Sequence, residues 1–283
     1  MSISLDFASA ARYVRQRRTP TGGYCFYREP GWSVEEPNAP DTLAAVESLR
    51  LLRCTIPQPQ QTIAWLQALQ DPSGGYPTLT IGWATLRSLD VLDAKPVRSP
   101  EQWVQRWGAA VTTAAACRGA GAIREAARVA DLTHRGYGVL GPCYRDGFAA
   151  LLAATSDAQG GWVHPSADIE TTAVAVCLAQ IAGQPASRGS RLRAFVRRCE
   201  DGVLGVRVAP PAGATSVGAL WAGTKLARVL GIRLRFPDAV GANLAMLQRP
   251  DGGLGARHRA VSTLRDTWLG LRAAHLLRAE ARS

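Results

Sequence analysis

Gln70-Asp71-Pro72-Ser73-Gly74-Gly75-Tyr76, preceded by Trp65-Leu66, joins a helical stretch to a glycine pair and an aromatic residue. The same punctuation recurs at Gly22-Gly23-Tyr24 and, behind Gln159, at Gly160-Gly161-Trp162. It returns at Gly252-Gly253-Leu254, behind Leu247-Gln248-Arg249-Pro250-Asp251. The two later gaps are nearly double the first, and degenerate copies fill them at Gly119-Ala120-Gly121 and Gly202-Val203-Leu204-Gly205. Six copies of roughly 40 to 50 residues each define one repeated supersecondary unit.

Each unit reads alike. A helix with an apolar stripe precedes the glycines, as in Gln61–Gln70 and Ala239–Gln248. The glycines stop it by taking backbone conformations closed to other residues. A more apolar second helix follows, over Asp41–Arg53, Thr80–Leu92, Ile169–Ile181, Ser216–Leu230 and Asp266–Leu277. The remaining unit is expected around Pro100–Ala115 and Ala122–Leu132, and a helix from Tyr144 to Thr155 opens the fourth. Helices apolar all round, such as Thr171–Ile181, must be buried, whereas Arg188–Glu200 is amphipathic. The expectation is an all-α fold, a single (α/α)6 toroid of six helical hairpins spanning residues 1–283. The apolar helices form its inner ring and the amphipathic ones its outer ring.

Composition narrows the partners. With 47% hydrophobic and 19% charged residues the chain reads as globular. It has no apolar run of about 18 residues, the length of a membrane-spanning helix. Asp6 comes before the basic cluster of Arg12, Arg15, Arg17 and Arg18, the reverse of a signal peptide, so a cytoplasmic location is expected. The net charge of +11 is almost all arginine, scattered along the helices without a basic tail or aromatic interleaving. That pattern speaks against nucleic acid and leaves solvated faces or an anionic substrate such as a diphosphate. Cys25, Cys54, Cys117, Cys143, Cys177 and Cys199 form no CxxC pair, and His134, His164, His258 and His275 lack metal-ligand spacing.

Trp65-Leu66 with the Gln70–Tyr76 stretch resembles the Gln–Trp repeat of squalene and terpene cyclases. The copies at Gln159 and Gln248 resemble it too, so the resemblance runs along essentially the whole chain. Protein prenyltransferase β subunits carry the same repeat, and the fold does not choose between reactions. Asp168-Ile169-Glu170-Thr171-Thr172-Ala173 is similar to the Asp-x-Asp-Asp-Thr-Ala motif of class II terpene cyclases, in which the middle acid protonates an alkene or epoxide. The resemblance implies Glu170 as general acid with Asp168 beside it. Thr171 stands where the last Asp is expected, so one carboxylate is missing. Two other inner helices open with Asp41-Thr42 and Asp266-Thr267, and an acid with a threonine there also serves as a helix cap.

A cyclase of this kind would surround its cations with ring faces. The candidates are Phe26, Tyr27, Trp32, Trp83, Tyr144, Trp162, Trp221 and Trp268, with Thr171, Thr172 and Asp266 near the acid; core packing is the other reading of each aromatic. The substrate implied is an isoprenoid, either a prenyl diphosphate or a prenyl chain. Magnesium would arrive only with a diphosphate, held mostly by substrate oxygens. Class II cyclases are expected to place their cavity between two toroids, and this chain is long enough for one. A zinc prenyltransferase needs Asp, Cys and His, but Gly141-Pro142 precede Cys143-Tyr144 and Asp266 stands at the place of the His. The alternatives left open are a zinc-independent prenyltransferase-like protein and a non-catalytic toroid binding a lipid or a partner. A peripheral membrane contact and a dimer are also left open.

Overall fold

The computed structural model describes residues 5–26, 35–113, 119–139, 141–158, 160–162, 167–183 and 189–280. Tyr27, Trp32, Cys117 and His164 lie outside the described residues. The outer helices are α1 (Phe7–Gln16), α3 (Pro59–Gln67), α5 (Glu101–Thr113), α7 (Pro142–Ala154), α9 (Gly189–Cys199) and α11 (Pro237–Leu247). The inner ones are α2 (Ala39–Leu51), α4 (Leu79–Val91), α6 (Ala120–His134), α8 (Ile169–Ile181), α10 (Val217–Leu230) and α12 (Leu264–Glu280). Two antiparallel two-residue hairpins complete the elements: β1 (Glu200–Asp201) with β2 (Gly205–Val206), and β3 (Leu254–Gly255) with β4 (Ser262–Thr263).

The inner helices pack in chain order, each on the next, and α12 packs back onto α2. The ring therefore closes. Each outer helix lies against the inner helix that follows it. This is the all-α toroid that the repeat predicts, with helices where the apolar patterns place them.

The side chains explain the division. α9 buries Leu192, Phe195, Val196 and Cys199 and turns its arginines outward, while most of α8 and α10 is buried. Four of the inner helices, α2, α4, α8 and α10, begin under side-chain caps. Asn38, Thr78, Asp168 and Ser216 accept the N–H groups of Asp41, Ile81, Thr171 and Ala219. Such a cap contributes about 1 kcal/mol.

The acid–threonine openings have a shared structural job. Thr42, Thr172 and Thr267 are fully buried, and each donates its hydroxyl to a carbonyl one turn earlier. Each also accepts the N–H of the residue after a glycine pair: Tyr24, Trp162 and Leu254. These threonines weld the glycine turn to the inner helix.

The glutamines of the repeat join units sideways. The Gln70 amide donates to Gly74 O and Arg98 O and accepts from Arg98 N–H, just ahead of α5. The Gln248 amide makes the same three bonds, to Gly252 O, Asp6 O and Asp6 N–H, just ahead of α1. Gly252 has φ +91° and lies against the Ser9 carbonyl in the first turn of α1, where a Cβ would collide. The last unit thus grips the first as each unit grips its successor.

Candidate functional site

The inner helices show the same half-buried to exposed stripe facing the centre of the ring. In α4 it is Thr80, Trp83, Arg87 and Asp90, and in α12 it is Arg265, Trp268, Arg272 and His275, with nearly everything between them buried. Residues seven apart in a helix share a face. Partial exposure on that face alone means that the ring encloses open space. Counted from the first residue, the second, fifth and ninth positions of the six inner helices form three layers, because these helices run parallel from one rim.

The second-position layer lies at the rim where the inner helices start. There the Glu170 carboxyl packs over Gly218 of α10, so that a Cβ on Gly218 would strike it. Glu170 Oε1 accepts the Ser216 hydroxyl at 3.1 Å, and Oε2 pairs with Arg265 Nη2 of α12 at 3.6 Å. Glu170 keeps 28% of its side chain accessible and Arg265 keeps 63%, so this is a water-facing ion pair of small net worth.

About one turn deeper is an aromatic layer of Trp83, Trp221 and Trp268. Trp83 donates its Nε1–H to Asp131 at 2.8 Å. The Nε1–H groups of Trp221 and Trp268 are buried and have no acceptor among the described residues. A further turn in is a charged layer: Glu47, Arg87, Arg128, Cys177, Lys225 and Arg272. Arg87 is clamped between Glu47 and Asp131, and Asp131 also pairs with Arg135, which reaches Asp90. Opposing charges therefore neutralise each other over α2, α4 and α6. Across the ring, Arg272 lies with its guanidinium carbon 5.1 Å from the Trp221 ring and 4.8 Å from the Trp268 ring. Such contacts contribute about 0.5 to 2 kcal/mol each.

Other sequence candidates fall elsewhere. Trp162 is buried and donates its Nε1–H to Leu152 O of α7, so its indole packs between the rings rather than lining the interior. Tyr144 lies on α7, with its hydroxyl on Gln105 O and its ring against Gly108 of α5. It belongs to the outer ring, as does Cys143. Phe26 is 43% exposed at the starting rim. Asp168 Oδ1 caps α8 through Thr171 N–H, and Thr171 is buried with its hydroxyl unpartnered.

Asp41 and Asp266 differ from Glu170. Both are buried one position further round their helices. Asp41 Oδ2 accepts from Asn38 Nδ2 at 2.8 Å and Phe26 N–H at 3.0 Å. Burial holds its carboxyl above the ordinary carboxylate range despite these bonds. Asp266 accepts the Thr263 hydroxyl at 2.7 Å and contacts Arg265.

The interior charges were not read from the sequence, yet they carry a signal. Trp83-Ala84-Thr85-Leu86-Arg87, Trp221-Ala222-Gly223-Thr224-Lys225 and Trp268-Leu269-Gly270-Leu271-Arg272 share a tryptophan four residues before a cation, with no charged residue between. A cavity of about 620 Å³ lies at the opposite rim, lined by Phe7, Arg53, Leu271, His275 and Arg278 among others. No carboxylate lines it among the described residues. Among the described residues no three His, Cys, Asp or Glu side chains gather as a metal site, and no helix is long and apolar enough to cross a membrane.

No family model matches the sequence, and no curated protein matches it. Solved structures do. A variant of the type II terpene cyclase MstE from Scytonema, in complex with the substrate geranylgeranyl dihydroxybenzoate, superposes with a TM-score of 0.61 at 14% identity. The match covers 98% of this chain and 97% of that one. A variant of MstE with its product merosterolic acid A gives 0.58 at 15% identity, covering 98% and 96%. A protein from Actinoplanes gives 0.53 at 18%, covering 98% and 100%. The chain therefore has the fold of type II terpene cyclases. This one toroid matches 96 to 97% of the MstE chain, so the expectation that a type II terpene cyclase needs two toroids is corrected.

Proposed function

We propose that the protein is a protonation-initiated isoprenoid cyclase that works inside the ring, with Glu170 as general acid. The observation that carries this reading is a column on one side of the interior. Glu170 lies over Gly218 at the rim, and Trp221 and Trp268 follow about one turn below on α10 and α12. Once substrate displaces the exposed Arg265 from its pair with Glu170, Glu170 acts in its protonated form: its O–H proton goes to a terminal alkene carbon, forming a C–H bond and leaving a tertiary cation. The chain's remaining double bonds close onto that cation while indole faces stabilise it. Water then takes a proton from a carbon beside the last cation and solvent returns one to the Glu170 carboxylate, so product and substrate are isomers and no co-reactant is consumed. Asp168, whose Oδ1 caps α8, fixes the helix start that carries Glu170. The prenyl substrates named for the MstE complexes agree with an isoprenoid ligand.

The test compares products from farnesyl and geranylgeranyl diphosphates and the corresponding neutral chains, with and without magnesium. Glu170→Gln should fold and lose turnover by at least about a hundredfold, since an amide has no acidic proton to give. Equal activity in this variant and wild type ends the assignment of Glu170. Asp41 is the second reading, favoured because burial biases its carboxyl toward the neutral form. Loss of turnover in Asp41→Asn with full activity in Glu170→Gln would move the proton donor there.

A further inference from the structure

Two halves of the interior differ in charge balance at the depth of the ninth-position layer. On the α2, α4 and α6 side Arg87 is clamped between Glu47 and Asp131, and Arg135 bridges Asp131 and Asp90. Arg128 on that side donates to Thr80 Oγ1 at 2.8 Å and stacks on Trp83. On the α8, α10 and α12 side the same layer offers Cys177, Lys225 and Arg272. Among the described residues neither Lys225 nor Arg272 has an ion pair. Glu47 and Asp131 act on Arg272 from across the ring, but both are already held by Arg87.

Burying a cation without a partner is costly, and burying two side by side costs more. The Arg272 guanidinium lies between the Trp221 and Trp268 rings. Two cations without a counter-charge among the described residues therefore share one side of the interior. A group with oxygen acceptors and negative charge would satisfy both.

We infer that the α8–α10–α12 side of the interior seats the oxyanion head group, carboxylate or phosphate, of an apolar chain. Arg272 and Lys225 are its counter-charges. The remainder of the chain runs along the two indole faces toward the rim. The ninth and second helical positions are about 10 Å apart along the axis, so the end of the chain remote from its head group lies beside Glu170. The head-inward orientation rests on the cyclase reading above; the anion seat does not.

Binding is measured by calorimetry on the full chain carrying Glu170→Gln, so that turnover plays no part. The ligands are farnesyl diphosphate, farnesoic acid, farnesol and inorganic pyrophosphate. The diphosphate and the carboxylate should each bind at least about tenfold tighter than farnesol. Arg272→Gln and Lys225→Gln, each added separately, should remove at least about tenfold of that preference and leave farnesol binding unchanged, and Arg272→Lys should restore part of it. Lys225→Gln keeps the test valid if Arg272→Gln does not fold, because Lys225 makes no hydrogen bond or ion pair among the described residues. Farnesol binding as tightly as its charged analogues, or both variants losing all ligands equally, would overturn the seat. Pyrophosphate binding as tightly as farnesyl diphosphate would overturn its assignment to a chain-borne head group. A sound seat without turnover in the otherwise wild-type chain would leave this inference standing and refute only the cyclase reading.

Discussion

Gln248 hydrogen-bonds both the N–H and the carbonyl of Asp6, 242 residues earlier, and so closes the ring. Gln70 makes the same clamp on Arg98 between adjacent units. Closure is a repeat of an ordinary inter-unit joint, applied to the two ends of the chain.

Replacing Gln248 with Ala removes three hydrogen bonds and leaves the Asp6 N–H to water. The expected cost is about 1 to 3 kcal/mol, read as a lower denaturation midpoint. Gln70→Ala should cost a similar amount. Hydrogen exchange should rise first in α1 for the Gln248 variant and in α5 for the Gln70 variant. Unchanged protection of α1 in Gln248→Ala would show that the clamp does not hold the closure.

Gly218 offers a local test of the acid. Alanine is the better helix former by about 1 kcal/mol, and the atoms its methyl would meet are the movable end of Glu170. Gly218→Ala should therefore keep or raise thermal stability while lowering turnover at least about tenfold, because the carboxyl is displaced. A variant as active as wild type would mean that the present position of the Glu170 carboxyl has no catalytic importance.

Asp41 makes a pH prediction with a defined sign. Its folded carboxyl titrates above the ordinary value of 3.8 because it is buried. The folded state then holds a proton that the unfolded chain has released, so this residue's contribution to stability falls as pH rises from 3.8 through the folded value. Asp41→Asn removes that dependence. The difference in melting temperature between wild type and Asp41→Asn should shift against wild type on going from about pH 4 toward neutrality. A difference independent of pH would contradict the protonation assigned to Asp41.

Cys177 reports on the interior. Burial raises its thiol pKa even though Lys225 and Arg272 pull it down. Cys143 is exposed on the outer ring. At about pH 8 a maleimide should label Cys143 first and Cys177 more slowly, since the thiolate is the reacting form. Farnesoic acid should slow Cys177 further and leave Cys143 unaffected. Equal labelling of Cys177 with and without the ligand would show that the ligand binds elsewhere.

The sequence by itself determined the toroid. Period, glycine turns and the contrast between apolar and amphipathic helices are local properties, and six apolar helices can hide their surface only by packing on one another. It also placed Trp83, Trp221 and Trp268 near the starts of inner helices, and the helix starts at Leu79, Val217 and Leu264 put all three at the same height. It did not separate Trp162 from them. An aromatic residue after a glycine pair is equally suited to a cavity wall and to the seam between rings, and only the Leu152 carbonyl behind its indole decided. The three acids at helix starts looked interchangeable for the same reason. One step of about 100° around a helix is invisible in composition, yet it turns Glu170 over Gly218 and buries Asp41 and Asp266. Charge balance was decided last and only in three dimensions. Glu47, Arg87 and Asp131 lie on three different helices, so their mutual neutralisation, and the lack of a partner for Arg272 and Lys225 among the described residues, exists only once the ring has closed.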